Sequence, residues 1–257
     1  MDTKTIDTTQ IKPASKIKYT ENIKHIFKRE FKAYFISPIA YIVITIFLLI
    51  IGWLFFSTFF IQGQASLSRF FYMLPVTFSF IIPAVTMRLF SEEINIGTYE
   101  LLLTLPVTFK DIIMGKFLAA TAFIGVMLSP TIFYAIFTSF LGGLDWGPVI
   151  GGYVGAILLA AAFSAIGLFA SSLTRNQVVA FIISMTICFS LSILTEYQLY
   201  FLPNWLLDMV KVVQYISANY HFQNIAKGVL DTRDILYFLS VMFISLYGAN
   251  LIMQEKK

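Results

Sequence analysis

Long apolar runs, separated by short polar segments, dominate the chain after residue 38. An uncharged run of about 20 residues, at roughly 1.5 Å rise per residue in a helix, matches the roughly 30 Å hydrocarbon layer of a bilayer. The pattern therefore predicts one integral membrane domain. Six spans are predicted, at about residues 39–60, 70–90, 112–140, 148–172, 177–195 and 234–253.

Two further patterns precede the first span. Residues 1–19 are rich in Thr, Lys and Ile without a sustained period, which predicts a flexible tail, so that the membrane domain covers residues 20–257. From Thr20 to Phe35, aromatic and aliphatic residues fall at helical spacing, and basic residues occupy the positions between them. We expect this basic amphipathic helix to lie in the membrane interface rather than to cross it.

Small residues recur every fourth position in the fourth predicted span. Helices in lipid associate by close packing, without a hydrophobic driving force, so this spacing predicts a helix contact and a central position in the bundle. The partner helix belongs either to the same chain or to a second copy. The packing residues are Gly147, Gly151, Gly152, Gly155 and Ala156.

The segment from Glu196 to Arg233 is too polar to cross the membrane and too apolar for a simple loop. Apolar residues follow the helical period in two parts of it, around residues 205–216 and 222–230. We expect two short helices that lie in or dip into the outer leaflet.

Composition supports the membrane assignment, and the distribution of charge predicts which side of the membrane the termini face. The chain is 58% hydrophobic and 12% charged, against roughly 45–50% and about 25% in soluble domains. The net charge of +4 does not indicate nucleic-acid binding, because eight of the 18 basic residues precede the first span. Fourteen of the 18 lie in segments on the side of the two termini, which are therefore expected in the cytoplasm.

Few residues offer catalytic chemistry. The spans are expected to hold essentially no ionisable side chain, which argues against an ion-coupled carrier or an intramembrane acid-base enzyme. His25 and His221 are expected on opposite sides of the membrane as ordinary interfacial residues. The single cysteine, Cys188, allows no intrachain disulfide and indicates no cysteine-based metal site. No G-x-x-x-x-G-K-[ST] sequence is present, so ATP hydrolysis through such a loop is not expected of this chain.

The predicted cytoplasmic stretch from Met87 to Phe117 is more elaborate than a turn between two spans requires. Glu92 and Glu93 begin a charged, water-facing part, and Gly97 permits a turn. A short helix is predicted over residues 98–105, and three consecutive leucines in it need a covering surface. A mere re-entry turn is the plainer alternative.

The end of this stretch carries its own helix signals. Pro106 ends the short helix. Thr108 and Asp111 stand three residues apart, as in a capping box, and predict the start of the third spanning helix.

Three stretches together carry a recognisable set of residues. Residues 90–117 contain five short motifs, which are in order Glu-Glu, Gly-Thr, Glu-Leu-Leu-Leu, Leu-Pro and Gly-Lys. Residues 165–177 contain Ala-Ile-Gly, Ser-Ser-Leu-Thr and Asn-Gln, and residues 221–240 read HFQNIAKGVLDTRDILYFLS. The chain thereby resembles ABC-2 type permeases of ABC transporters from about residue 23 to 251. It resembles most closely the gliding-motility-associated permeases and the permease of nitrous oxide reductase maturation.

This resemblance implies an all-α fold of the type V exporter kind, with six transmembrane helices. It also implies an N-terminal interfacial elbow helix, a cytoplasmic coupling helix and short outer re-entrant helices before the last span. Two separate ABC ATPase subunits would bind ATP and magnesium, and this chain would hold no cofactor. A second permease chain, identical or related, would complete the complex within the membrane lipid. The residues implied to dock on the ATPase are Glu92, Glu93, Gly97, Thr98, Glu100, Leu101, Leu102, Leu103 and Pro106.

The expected function is that of a permease subunit of an ATP-driven exporter in a bacterial inner membrane, and not of an enzyme. A different class stays open: a mechanical or assembly component, driven by the ATPase, through which no solute passes. The likeness to gliding-motility proteins supports that alternative. An uncoupled channel or scramblase is the third possibility.

Overall fold

The computed structural model describes residues 19–62, 66–98, 107–193, 214–229 and 231–256. Residues 1–18 of the predicted tail, residues 99–105 of the predicted coupling helix and residues 205–213 of the first predicted outer helix lie outside this part of the chain. The described residues are helical and contain no strand. The helices are α1 (Tyr19–Ile36), α2 (Pro38–Gln62), α3 (Ser68–Thr86), α4 (Arg88–Ile96), α5 (Phe109–Leu128), α6 (Ile132–Leu141), α7 (Trp146–Leu173), α8 (Gln177–Ile193), α9 (Ala218–Ala226) and α10 (Thr232–Glu255).

Five helical stretches of the described chain are long and apolar enough to cross a membrane. They are α2, α3 continued by α4, α5 continued by α6, α7, and α10. The helix α8 is apolar but holds 17 residues, which reach roughly 25 Å at about 1.5 Å per residue. The residues that follow α8 are outside the described part. The predicted all-α membrane fold is confirmed.

The helix α7 lies at the centre of the bundle, in contact with α3, α5, α8, α9 and α10. Its glycines allow two of these neighbours to approach closely. A Cβ atom on Gly151 would collide with the carbonyl oxygen of Ile225 in α9, and one on Gly152 would collide with the ring of Phe71 in α3. These close approaches are made within one chain.

The other small residues of the α7 stripe have different surroundings. A Cβ atom on Gly155 would stand 3.1 Å from Ile225 Cγ2, and Ala156 is completely buried. Gly147, at the exposed start of α7, would meet only the Asp145 side chain, at 3.4 Å. The tightest packing of the stripe is thus centred on Gly151 and Gly152.

The predicted amphipathic helix is present as α1, and it packs against α5. The Tyr34 ring stacks on Phe123 with centroids 4.8 Å apart. A Cβ atom on Gly115 would stand 2.6 Å from Ile26 Cγ2, so the glycine lets α1 lie directly on α5. Much of the apolar side of α1 is therefore covered by protein.

Candidate functional site

A buried lysine joins three helices at the end of the bundle where α1 lies. The side chain of Lys116, in α5, is 1% exposed, and its ammonium group donates to three oxygens. The distances are 2.7 Å to Glu93 Oε1, 2.8 Å to the Leu89 carbonyl oxygen and 3.4 Å to Glu30 Oε1. Because an ammonium group has three donors, this arrangement uses all of them.

A second cation completes the group. Arg29 donates to Glu30 Oε1 at 2.7 Å and lies 3.8 Å from Glu93 Oε1. Two carboxylates thus face two cations, with Arg29 and Glu30 from α1, Glu93 from α4 and Lys116 from α5. We call these four residues the Lys116 cluster. Its charges balance, which is the condition under which charged groups are tolerated away from water.

Local sequence explains how the three helices present these side chains. Leu89 and Glu93 stand four residues apart, so the carbonyl and the carboxylate of α4 lie on one face. Lys116 follows Gly115, a position at which α1 approaches α5 closely. The lysine therefore lies beneath α1, and its ammonium group is also 5.3 Å from the centre of the Phe90 ring.

Burial and charge act in opposite directions on the Glu30 carboxyl. Burial raises its pKa, whereas the nearby charges of Lys116 and Arg29 and their hydrogen bonds lower it. The charges prevail, and the pKa lies below the ordinary value of 4.5. Glu30 is therefore ionised at neutral pH.

A serine of the central helix holds the start of α4. The Ser171 hydroxyl accepts hydrogen bonds from the backbone N–H groups of Phe90 and Ser91, at 2.9 and 3.0 Å. It donates to the Met87 carbonyl oxygen at 2.8 Å. The first N–H groups of a helix have no partner within the helix. Ser171 acts as a cap supplied by another helix, at the break between α3 and α4.

A cleft of about 320 Å³ lies beside the Lys116 cluster. It has both polar and apolar walls and opens between α1 and the end of α4. Its described lining residues are Glu30, Ala33, Tyr34, Arg88, Leu89, Glu92, Glu93, Ile96, Thr98 and Lys116.

The residues predicted to dock on an ATPase have different positions in the structure. Glu92 is half-buried and lines the cleft. Gly97 has φ +82°, in the left-handed region, and ends α4, as its predicted turn requires. Thr98 is exposed, and its hydroxyl lies 3.4 Å from the Glu93 carbonyl oxygen. Glu100, Leu101, Leu102, Leu103 and Pro106 lie outside the described residues.

Two predictions about ionisable residues were wrong at this end. Glu93 does not simply face water, because Lys116 and Arg29 pair with it. Lys116 lies inside the predicted third span, where essentially no ionisable residue was expected. A lysine two turns into a spanning helix was the available signal, since such a residue needs an acidic partner.

The predicted capping box at the start of α5 is confirmed. The Thr108 hydroxyl accepts from the Asp111 N–H at 3.3 Å, and the Asp111 carboxylate accepts from the Thr108 N–H at 3.2 Å. Two residues of local sequence thus fix the start of α5.

The opposite end of the bundle holds a second buried polar group. The Nδ1 atom of His221, in α9, lies 2.6 Å from Oδ1 of Asp234, in α10. The Nε2 atom of the same ring lies 3.0 Å from the Tyr215 carbonyl oxygen. The imidazole also stacks on the Tyr237 ring at 4.1 Å. This side chain is 5% exposed and joins α9 to α10 and to the segment of Tyr215. Its place at the membrane interface stays a prediction.

Comparison with protein families matches these helices to a known group. A model described as ABC-2 family transporter protein matches residues 24–247, from α1 to within α10. The chain belongs to the ABC-2 family. It is accordingly a multi-pass membrane permease component of an ABC transporter, and a transport subunit rather than a catalyst. Comparison with curated proteins gave no match.

Proposed function

We propose that this ABC-2 chain is the permease subunit of an ATP-driven exporter and that a separate ATPase docks on its segment from Glu92 to Pro106. Both termini, α1 and α4 face the cytoplasm of a bacterial inner membrane in this proposal. The excess of basic residues on the side of the termini supports that orientation.

The observation that carries the coupling proposal is the Lys116 cluster. The segment after Gly97 continues from α4, and α4 is tied to α1 and α5 by charge pairs and to α7 by Ser171. A push on the docking segment would therefore reach two spanning helices and the elbow helix through direct contacts. A plain re-entry turn would need none of these connections.

Family membership supports the remaining parts of the proposed complex. ATP and magnesium would bind to the ATPase, since this chain has no phosphate-binding loop. A second permease chain, identical or related, would pack against apolar helix faces of this one. Exposed aliphatic and aromatic residues on α2 and α10, such as Trp53 and Phe243, are available to that chain or to lipid. The nearest kin would be the gliding-motility and nitrous oxide reductase maturation permeases.

Gentle purification of the tagged chain tests the proposal. An ATP-binding subunit should co-purify and be identified by mass spectrometry. The variant Leu102→Ala with Glu100→Lys should stay monodisperse but bind that subunit at least about tenfold more weakly, or roughly 1.4 kcal/mol. Glu92→Lys should weaken binding too, in a salt-dependent way.

Glu255→Lys is the matched control, because it reverses an exposed acidic residue at the end of α10, outside the docking segment. It should leave ATPase binding unchanged. Equal binding by the parent and the docking-segment variants would refute the coupling role of this segment.

A further inference from the structure

A cleft of about 450 Å³ lies at the end of the bundle opposite the Lys116 cluster. It is formed where the start of α3, the start of α7 and the end of α9 meet. Its described lining residues are Ser68, Arg69, Phe71, Tyr72, Pro148, Gln223, Ala226 and Lys227.

Close backbone contacts fix the shape of this cleft. Gly228, just past α9, has φ +86°, and a Cβ atom there would stand 3.0 Å from the Gly147 carbonyl carbon. One turn further along α7, Gly151 meets the carbonyl oxygen of Ile225. The end of α9 therefore contacts the start of α7 backbone to backbone at these two glycines. This contact fixes the position of the cleft wall that α9 forms.

The charges in the cleft are all positive. Arg69 and Lys227 line it together, no described lining residue is acidic, and neither cation forms an ion pair within the described chain. Arg69 is held 5.3 Å above the ring of Tyr72. Three basic residues are described at this end of the bundle, namely Arg69, Lys227 and Arg233. The first two line this cleft.

Nearby acidic residues are committed elsewhere. The Asp145 carboxylate accepts from the Gly147 N–H at 3.0 Å and caps α7. The Asp231 carboxylate accepts from the Arg233 N–H at 3.0 Å and caps α10. Two cations that form no ion pair with the described residues, in a cleft with a fixed wall, are an arrangement that an anion would complete.

We propose that this cleft binds a phosphate group, carried either by an anionic lipid headgroup or by free phosphate. The guanidinium group of Arg69 offers two parallel donors that match phosphate oxygens, and Lys227 adds a point charge. The Ser68 hydroxyl is a further donor. Phe71 and Pro148 give an apolar surface against which the glycerol part of a lipid fits.

The depth of the cleft in the membrane is consistent with binding of a lipid headgroup. It lies at the ends of spanning helices, the depth of the headgroups. A phosphate held by Arg69 and Lys227 would link α3 to α9 and so stabilise this end of the bundle. The proposal goes beyond ATP-driven export and needs no ATPase for its test.

The test measures the thermal unfolding midpoint of the purified full-length chain in neutral detergent. Short-chain phosphatidylglycerol, short-chain phosphatidylcholine and inorganic phosphate are titrated separately at constant ionic strength. Phosphatidylglycerol should raise the midpoint, and the half-effective concentration should rise at least tenfold in Arg69→Gln with Lys227→Gln. Arg233→Gln, a basic residue outside the cleft, should respond like the parent.

The arms of the titration separate the sources of the phosphate. A shift by phosphatidylglycerol at far lower concentration than by inorganic phosphate assigns a lipid, and equal potency assigns the free anion. Equal responses of the double variant and the parent would overturn the proposal, as would equal potency of phosphatidylcholine. Native mass spectrometry of the parent, which counts bound phosphatidylglycerol, gives a result even if the double variant does not fold.

Discussion

The Lys116 side chain is almost completely enclosed by protein. Removing an ammonium group from water is costly, and only well-placed partners offset that cost. Lys116 has three oxygen acceptors, two of which belong to carboxylates on different helices. Removing the lysine would therefore leave Glu30 and Glu93 with only Arg29, which is half exposed, as a described counter-charge.

Lys116→Met is expected to destabilise the protein by about 3–5 kcal/mol, as when one partner of a buried charge pair is removed. Lys110→Met is the control, because Lys110 is exposed on the same helix. Its effect should stay within about 0.5 kcal/mol. Denaturant unfolding in detergent micelles measures both variants. Similar stabilities for the two variants would show that the cluster contributes little.

The low pKa of the Glu30 carboxyl makes the stability of the cluster depend on pH. A carboxylate whose pKa is lower in the folded chain stabilises the fold above its unfolded pKa, near 4.5, and loses this contribution as pH falls through the folded pKa. The parent should therefore exceed Glu30→Gln in unfolding free energy at pH 6. This difference in unfolding free energy should shrink as the pH falls below about 4.5. Glu21→Gln, at an exposed position of α1, should show no such change, and a pH-independent gap for Glu30→Gln would contradict the assignment.

At the scale of single helices, α4 depends on a cap that it does not supply. Its N-cap residue, Met87, makes no side-chain capping bond, whereas the Ser171 hydroxyl serves two N–H groups of the first turn. An unpartnered buried donor costs about 1–3 kcal/mol. The orientation of α4, and with it the start of the docking segment, is thus set by α7.

Ser171→Ala should destabilise the protein by about 2 kcal/mol, because it leaves the N–H groups of Phe90 and Ser91 without an acceptor. Ser172→Ala provides the matched control. Ser172 is equally buried, but its hydroxyl donates only to the Phe169 carbonyl oxygen of its own helix. Hydrogen exchange at the α4 amides should increase in the first variant and not in the second. Unchanged exchange in both would exclude the capping role.

Local features of the fold could be predicted from the sequence, and contacts between distant segments could not. The helical period of α1, the apolar spans and the Thr108 capping box each rest on residues within a few turns of one another. Glu93 and Lys116 are 23 residues apart, and Phe90 and Ser171 are 81 apart. No periodic pattern connects such positions. The sequence therefore predicts that Glu93 faces water, although the structure pairs this carboxylate with Lys116.

At the scale of the whole molecule, the bundle is assembled around the small residues of α7. Gly151→Ala should cost about 1–3 kcal/mol, since the added methyl group collides with a carbonyl oxygen of α9 that has little freedom to move. Gly125→Ala is the control in α5, where no atom of the described residues lies within 4 Å of the added Cβ. It should be neutral or stabilising by up to about 1 kcal/mol. Thermal unfolding of the two variants measures the difference, and equal midpoints would argue against tight α7–α9 packing.

The two ends of the bundle are expected on opposite sides of the membrane, because 14 of the 18 basic residues fall on the side of the termini. Thr8→Cys and Glu255→Cys should resist an impermeant thiol reagent in intact cells, whereas Gly143→Cys should react. Gly143 is exposed, and its Cβ position has no neighbour within 4 Å in the part of the chain that the structure describes. The buried Cys188 is replaced by alanine in each variant. Permeabilised cells serve as the control in which all three cysteines react. Labelling at Thr8→Cys in intact cells would reverse the orientation and remove the docking segment from the reach of a cytoplasmic ATPase.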